Sequence, residues 1–137
     1  MKITVIDKVP KNKIGVLNKN GVVPKPNEEF TFEYLTLFGF NVELIQPTSA
    51  RKVKNPDVLI MGAVWEVKTP TSYKLNTIRN RFREASDQAT KIIFDLRLIK
   101  NDTDKIERLL IGMFKGDGLV RRMIIIKKDG KVVDFVK

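Results

Sequence analysis

At 137 residues the chain has the length of about one domain, enough to close a single apolar core, and no second domain is expected. Cys and His are both absent, which excludes disulfides, thiol nucleophiles, thiolate zinc sites, imidazole acid–base pairs and histidine-ligated metals. Catalysis must then rest on carboxylates, Lys, Arg, Tyr, Ser or Thr, and the cysteine-free composition suits a reducing compartment. The 26 Lys and Arg against 16 Asp and Glu leave a net charge of +10 on a chain that is 42% hydrophobic. A polyanion is the natural partner of such a protein, the alternative being a merely soluble basic domain. The longest apolar runs, such as residues 123–126, are far too short to span a membrane, and no signal-peptide pattern is present.

In chain order, residues 1–27 open with a strand-like stretch over 2–6 and continue through Pro10, Gly15, Gly21, Pro24 and Pro26, a lead-in of turns and short edge strands. A first helix is predicted over 28–38, with apolar Phe30, Phe32, Leu35 and Phe38, a cap at Asn27 and a stop at Gly39. Residues 40–45 read as a strand ended by Pro47, and 48–55 as a basic loop carrying Arg51, Lys52 and Lys54. Two strands, 57–61 and 64–68, form a hairpin around Gly62, and Pro70 closes the second. Leu75, Ile78, Phe82, Ala85 and Ala89 recur at helical spacing and predict a second helix over 75–89. Residues 92–98 alternate, with Ile92, Phe94, Leu96 and Leu98 on one face and Ile93, Asp95 and Arg97 on the other. A third helix is predicted over 103–115, capped by Asp102 and stopped by Gly116, before strands at 119–127 and 132–136 joined by an Asp129–Gly130 turn. The second helix is long enough to bridge two parallel strands, so an α/β core with a mixed central sheet follows, with the terminal strands extending or flanking it.

Chemistry concentrates in residues 55–69, where Asp57, Glu66 and Lys68 interrupt two apolar strands. Strand alternation puts Glu66 and Lys68 on one face and Val67 on the other. A two-residue hairpin loop brings Asp57 to the same face. A Met61–Gly62 loop sets it opposite Glu66, and a Gly62–Ala63 loop sets it opposite Lys68. The second suits a type II′ turn better, with Gly at its first central position, and a three-residue loop would send Asp57 to the wrong side. Two neighbouring carboxylates repel unless a hard divalent cation such as Mg²⁺ (or Mn²⁺) joins them, polarising a scissile phosphate and acidifying its water. Lys68 could then orient that water or stabilise charge developing on the phosphate. The plainer alternative is a strand with a salt bridge; another acid-x-Lys triplet, Asp129-Gly130-Lys131, sits in an obvious turn. Trp65 faces away from the charged side chains and reads as core.

The succession of a helix, three strands carrying Pro56-Asp57 and Glu66-Val67-Lys68, a helix and a strand resembles the PD-(D/E)XK nuclease superfamily over residues 28–98, with residues 99–137 adding a helix and a C-terminal hairpin. The run Glu66-Val67-Lys68-Thr69-Pro70 with Gln88-Ala89 late in the following helix is most similar to the C-terminal tRNase domain of CdiA-type contact-dependent inhibition toxins. The resemblance implies an αβββαβ restriction-endonuclease-like core, metal binding by Asp57 and Glu66, and catalytic assistance from Lys68. It also implies a first-helix glutamate near the site, Glu29 with Glu33 as the alternative, and a substrate- or water-contacting role for Gln88. Thr69 reads as a strand residue. The N-terminal and C-terminal hairpins match nothing in the resemblance. Arg51, Lys52, Lys54, Lys74, Arg79, Arg81 and Arg83 are candidates for a phosphate-gripping rim, provided they lie beside Asp57; solvated surface charge is the alternative.

The function implied is Mg²⁺-dependent hydrolysis of RNA, most of all tRNA, by a bacterial toxin domain. It would act in the cytoplasm after delivery as part of a larger secreted protein, with an acidic immunity protein as partner. A DNA endonuclease of the same fold and a noncatalytic basic nucleic-acid-binding module are the alternatives.

Overall fold

The computed structural model describes residues 1–46 and 57–137, with Asp57 described by its backbone only. These residues form eight strands and three α-helices, a mixed α/β fold, and divide into two compact units, Asp7–Trp65 and Met1–Ile6 with Glu66–Lys137.

In the Asp7–Trp65 unit, helix α1 (Pro26–Thr36) is followed by strand β3 (Val42–Ile45), which pairs antiparallel with β4 (Asp57–Ile60). A short strand β2 (Leu17–Asn18) lies parallel to β3 on its other side. Strand β4 turns into β5 (Ala63–Lys68), whose first residues complete this ladder with Val58 opposite Trp65. Alternation gives the ladder one dry face: Val42, Leu44, Val58, Ile60 and Trp65 are buried, whereas Glu43 and Val64 are exposed. Phe32 and Leu35 are the buried apolar residues of α1. The Trp65 indole N–H donates to the Ile60 carbonyl at 3.1 Å, so the ring is part of the core, as expected.

The first helix begins two residues before the predicted start. Pro26 occupies its first turn, where a missing N–H costs nothing, so Asn27 lies inside the helix instead of capping it. Glu28 carries out the capping, its carboxylate accepting the Lys25 N–H at 3.3 Å. The preferred Gly62–Ala63 loop is also corrected. Met61 (φ 54°) and Gly62 (φ 73°) are both left-handed, as a type I′ turn requires, and Ile60 pairs with Ala63 across them.

In the other unit the strand order is β1 (Lys2–Ile6), β8 (Val132–Val136), β7 (Arg122–Ile126), β6 (Lys91–Asp95) and the second half of β5. Two parallel pairings are bridged by helices: β5 to β6 by α2 (Leu75–Gln88), as expected, and β6 to β7 by α3 (Asp104–Gly116). The expected C-terminal hairpin forms, β7 pairing antiparallel with β8, whereas the N-terminal strand pairs with β8 and not within a hairpin of its own. Strand β7 is interior, and β1 closes the edge by pairing antiparallel with β8. Ile78, Phe82 and Ala85 of α2 and Ile106, Leu110 and Phe114 of α3 are buried in one cluster with Ile92, Phe94, Met123, Ile125, Val133 and Phe135 from the sheet. Phe82 and Phe94 stack with centroids 6.4 Å apart.

The alternation expected along 92–98 does not make a polar face. Strand β6 lies between two parallel neighbours, so both of its faces are buried, and residues 96–98 leave the strand. Asp95 is fully buried, its carboxylate held by the Arg97 guanidinium at 3.0 and 2.7 Å. Asp102 does act at the start of the third helix, accepting the Asp104 N–H at 2.9 Å.

Candidate functional site

Strand β5 delivers Glu66 and Lys68 to the sheet face covered by α2 and α3. In the parallel register Glu66 pairs with Ile92 and Lys68 with Phe94, and both partners belong to the helix-covered core. A charged side chain on that face must reach its margin and find a partner. Lys68 does both: its Nζ lies 3.4 Å from Glu66 Oε1 and 3.4 Å from Glu84 Oε2 on α2. The Lys68 and Glu66 side chains are only 11% and 14% exposed, whereas Glu84 is 47% exposed. Beyond Glu84 stands Arg81, one Nη1 contacting both carboxylate oxygens at 3.0 and 3.2 Å. The result is a line of alternating charges: Glu66, Lys68, Glu84 and Arg81. Burial raises the Glu84 pKa, but the Arg81 charge and then Lys68 more than offset it, so the carboxyl titrates below its ordinary value.

Helix geometry sorts the predicted basic rim. With about 100° per residue, Arg81 and Gln88 lie roughly 60° and 40° from Glu84 around α2 and share its flank, whereas Arg83 and Arg79 lie about 100° and 140° away on the opposite flank. Arg79 instead donates to Asn76 at 2.8 Å, and Arg83 is exposed. Of the three rim-candidate arginines on α2, Arg81 is the one whose guanidinium meets Glu84, the partner of Lys68. Lys74 is the exposed residue just before α2. Arg51, Lys52 and Lys54 lie outside the described residues, as does the Asp57 side chain.

In the other unit, the Glu29 carboxylate is engaged by Lys19 Nζ, and Glu33 is exposed on α1. Thr69 follows the end of β5, half-buried.

Glu84 is the member of this group that sequence reasoning missed. The available signal was its position one turn before Gln88 on a flank bordering the buried stripe, within reach of the strand that carries Lys68. Among the described residues, no cluster of three or more acidic side chains suited to a metal ion is assembled. Glu66 supplies one hard oxygen donor, and the described acid next to it, Glu84, is already shared by two cations.

A mixed sheet with helical crossovers and an acid–lysine strand defines an α/β domain of net charge +10. Residues 54–132 match the family described as the contact-dependent growth inhibition CdiA C-terminal domain, and the chain belongs to that family of bacterial toxin domains. The matched region takes in β4, β5, α2, β6, α3 and β7, and so includes most of the C-terminal hairpin that the sequence resemblance left unmatched; α1 and Glu29 precede it. A chain of the CdiA-CT/CdiI toxin and immunity complex from Burkholderia pseudomallei has a similar fold, with a TM-score of 0.65 and 20% identity, covering 90% of this chain and 100% of its own. Comparison with curated proteins gives no match. No helix among the described residues is long and apolar enough to cross a membrane.

Proposed function

We propose that this toxin domain is a metal-dependent ribonuclease acting on tRNA, with Asp57, Glu66 and Lys68 as its catalytic residues. The observation that carries the proposal is Lys68, held 3.4 Å from Glu66 on a nearly buried stretch of β5 just beyond a type I′ hairpin. The Met61–Gly62 loop is the one for which strand alternation predicts position 57 opposite position 66. The order α1, β3, β4, β5, α2, β6 is that expected of a PD-(D/E)XK nuclease core. Toxin domains of this family are usually nucleases, and the +10 charge favours a nucleic-acid substrate.

Asp57 and Glu66 would hold Mg²⁺, which when bound supplies Lewis-acid polarisation of the phosphate and a more acidic water. Glu66 also fixes Lys68 by ion pairing, so the ammonium meets the phosphate without searching rotamers. Lys68 presents positive charge to the phosphoryl oxygens as charge develops there. Arg81 supplies a guanidinium for a phosphate on the α2 flank, and Gln88 a polar side chain about two turns further on.

The immunity partner expected for such a toxin is an acidic protein that covers the basic cleft by charge complementarity. The solved structure of similar fold is itself a toxin and immunity complex, which supports a partner of this kind.

The test is incubation of the purified protein with total tRNA and with plasmid DNA, each with Mg²⁺ and with EDTA, beside Glu66→Ala. Cleavage of tRNA only with Mg²⁺ and only by the wild type is the expected result. Cleavage confined to DNA would move the substrate to duplex DNA, and no cleavage of either polymer would overturn the nuclease.

A further inference from the structure

We infer that the Glu84 carboxylate occupies the seat of a substrate phosphate, between Arg81 and Lys68, and that it withdraws when RNA binds. The inference deepens the ribonuclease proposal and rests on it for the identity of the ligand. Three distances define the seat: Arg81 Nη1 to Glu84 Oε1 at 3.0 Å and Oε2 at 3.2 Å, and Lys68 Nζ to Oε2 at 3.4 Å. A guanidinium and an ammonium converging on one oxyanion is the donor set that holds a phosphodiester, whose anionic oxygens resemble a carboxylate in charge and spacing.

Displacement is easy on the Glu84 side and resisted on the Lys68 side. Arg81 and Glu84 are 46% and 47% exposed, and pairs so exposed contribute little. The departing carboxylate swings into water on a flank it already borders. Lys68 is nearly buried and keeps its second partner, Glu66, at 3.4 Å. Its ammonium therefore stays in place when Glu84 leaves, and the seat survives the exchange. While Glu84 is in place it cancels the positive field that would draw RNA to this spot, so an anion enters only by outcompeting it.

The experiment is fluorescence anisotropy of fluorescein-labelled tRNA in EDTA, where no cleavage occurs, with wild type, Glu84→Gln, Arg81→Gln and the double variant. Asp104→Asn, an equal charge change at an exposed position on α3, measures the effect of net charge alone. Glu84→Gln should tighten binding by about threefold or more beyond Asp104→Asn at low salt. That gain should shrink when Arg81→Gln is added, because half of the seat is then gone. Glu84→Ala, which also removes the hydrogen-bonding head, should move affinity in the same direction.

Equal affinities for Glu84→Gln and Asp104→Asn would overturn the inference, as would weaker binding by Glu84→Gln, since a residue that merely positions Lys68 would lose affinity when neutralised. Wild type that binds tRNA but cuts nothing when Mg²⁺ is restored would sink the nuclease and leave the seat standing. Failure of every variant to bind tRNA would overturn both.

Discussion

Replacing Glu66 by Gln keeps the shape of the side chain and removes its charge, and the structure gives the size of both consequences. For stability, a wholly exposed ion pair contributes at most about 1 kcal/mol and breaking a wholly buried one costs roughly 3–5 kcal/mol. Glu66 and Lys68 lie between these limits, at 14% and 11% exposure, and Lys68 keeps Glu84 at 3.4 Å after the change. A cost of about 1–2 kcal/mol follows, or a fall in Tm of roughly 3–8 °C for a chain of this size. Domains have about 5–15 kcal/mol to lose, so more than about 99% of Glu66→Gln stays folded at 25 °C. For activity, the metal-binding role proposed for Glu66 predicts a fall in rate of about a thousandfold or more, equivalent to roughly 4 kcal/mol of barrier. The two effects are separable because so small a loss of folded protein cannot produce so large a loss of rate. The assay pairs single-turnover tRNA cleavage with a thermal melt of the same sample. Cleavage within about threefold of wild type, accompanied by the expected fall in Tm, would refute the catalytic role and leave Glu66 as the structural partner of Lys68.

Met61 holds φ 54° in a turn that favours Asn at that position, so Met61→Asn should raise stability by about 1 kcal/mol in urea unfolding and leave cleavage unchanged. Gly15→Ala should destabilise severely, by roughly 3 kcal/mol or more, because its Cβ would lie 1.8 Å from the Phe40 carbonyl oxygen, a backbone atom that cannot turn aside; a large drop in urea midpoint checks it. Phe82→Ala empties the stack against Phe94 and should cost about 3–5 kcal/mol by the same measurement. Because the Glu84 carboxyl titrates below its ordinary value of 4.5 when folded, its ion pairs contribute above pH 4.5 and are lost as pH falls through the lower folded value. Wild type should therefore be slightly the more stable at pH 7 and converge with Glu84→Gln in urea titrations as pH falls below the folded value, the difference staying small because Glu84 is half exposed.

The elements with strong periodicity were legible in the sequence. Helix α2 runs over Leu75–Gln88 against an expectation of 75–89, and its buried residues Ile78, Phe82 and Ala85 are three of the five that carried the pattern. Strands β1 and β8 begin and end where composition put them. The turn made the pairing of β8 with β7 legible, but not that of β1 with β8, which spans more than a hundred residues and has no local signal. The hairpin loop was misassigned for a physical reason. Methionine pays for a left-handed backbone, so turn chemistry alone favours Gly62 as the first loop residue. The ladder that buries Val58, Ile60 and Trp65 together overrides that local preference. At the site, alternation sufficed to join Glu66 with Lys68, since both lie on one strand. Joining Glu84 required knowing which flank of α2 borders β5, and that depends on how the helix is seated on the sheet.

The same seating explains why the charge line exists. Lys68 and Glu66 rise from a face whose neighbouring positions are Ile92 and Phe94, so burial alone demands that each be neutralised, catalysis or not. A network built only for that purpose would treat its two carboxylates alike: removing either would strip Lys68 of one partner, lower Tm and leave RNA binding to the rest of the basic surface. A nuclease with a phosphate seat treats them oppositely. Glu66 is needed for the chemical step, so its loss abolishes cleavage, whereas Glu84 competes with the substrate, so its loss tightens RNA binding. Measuring both variants for both properties decides between the two, because opposite signs at the two carboxylates cannot arise from charge neutralisation alone.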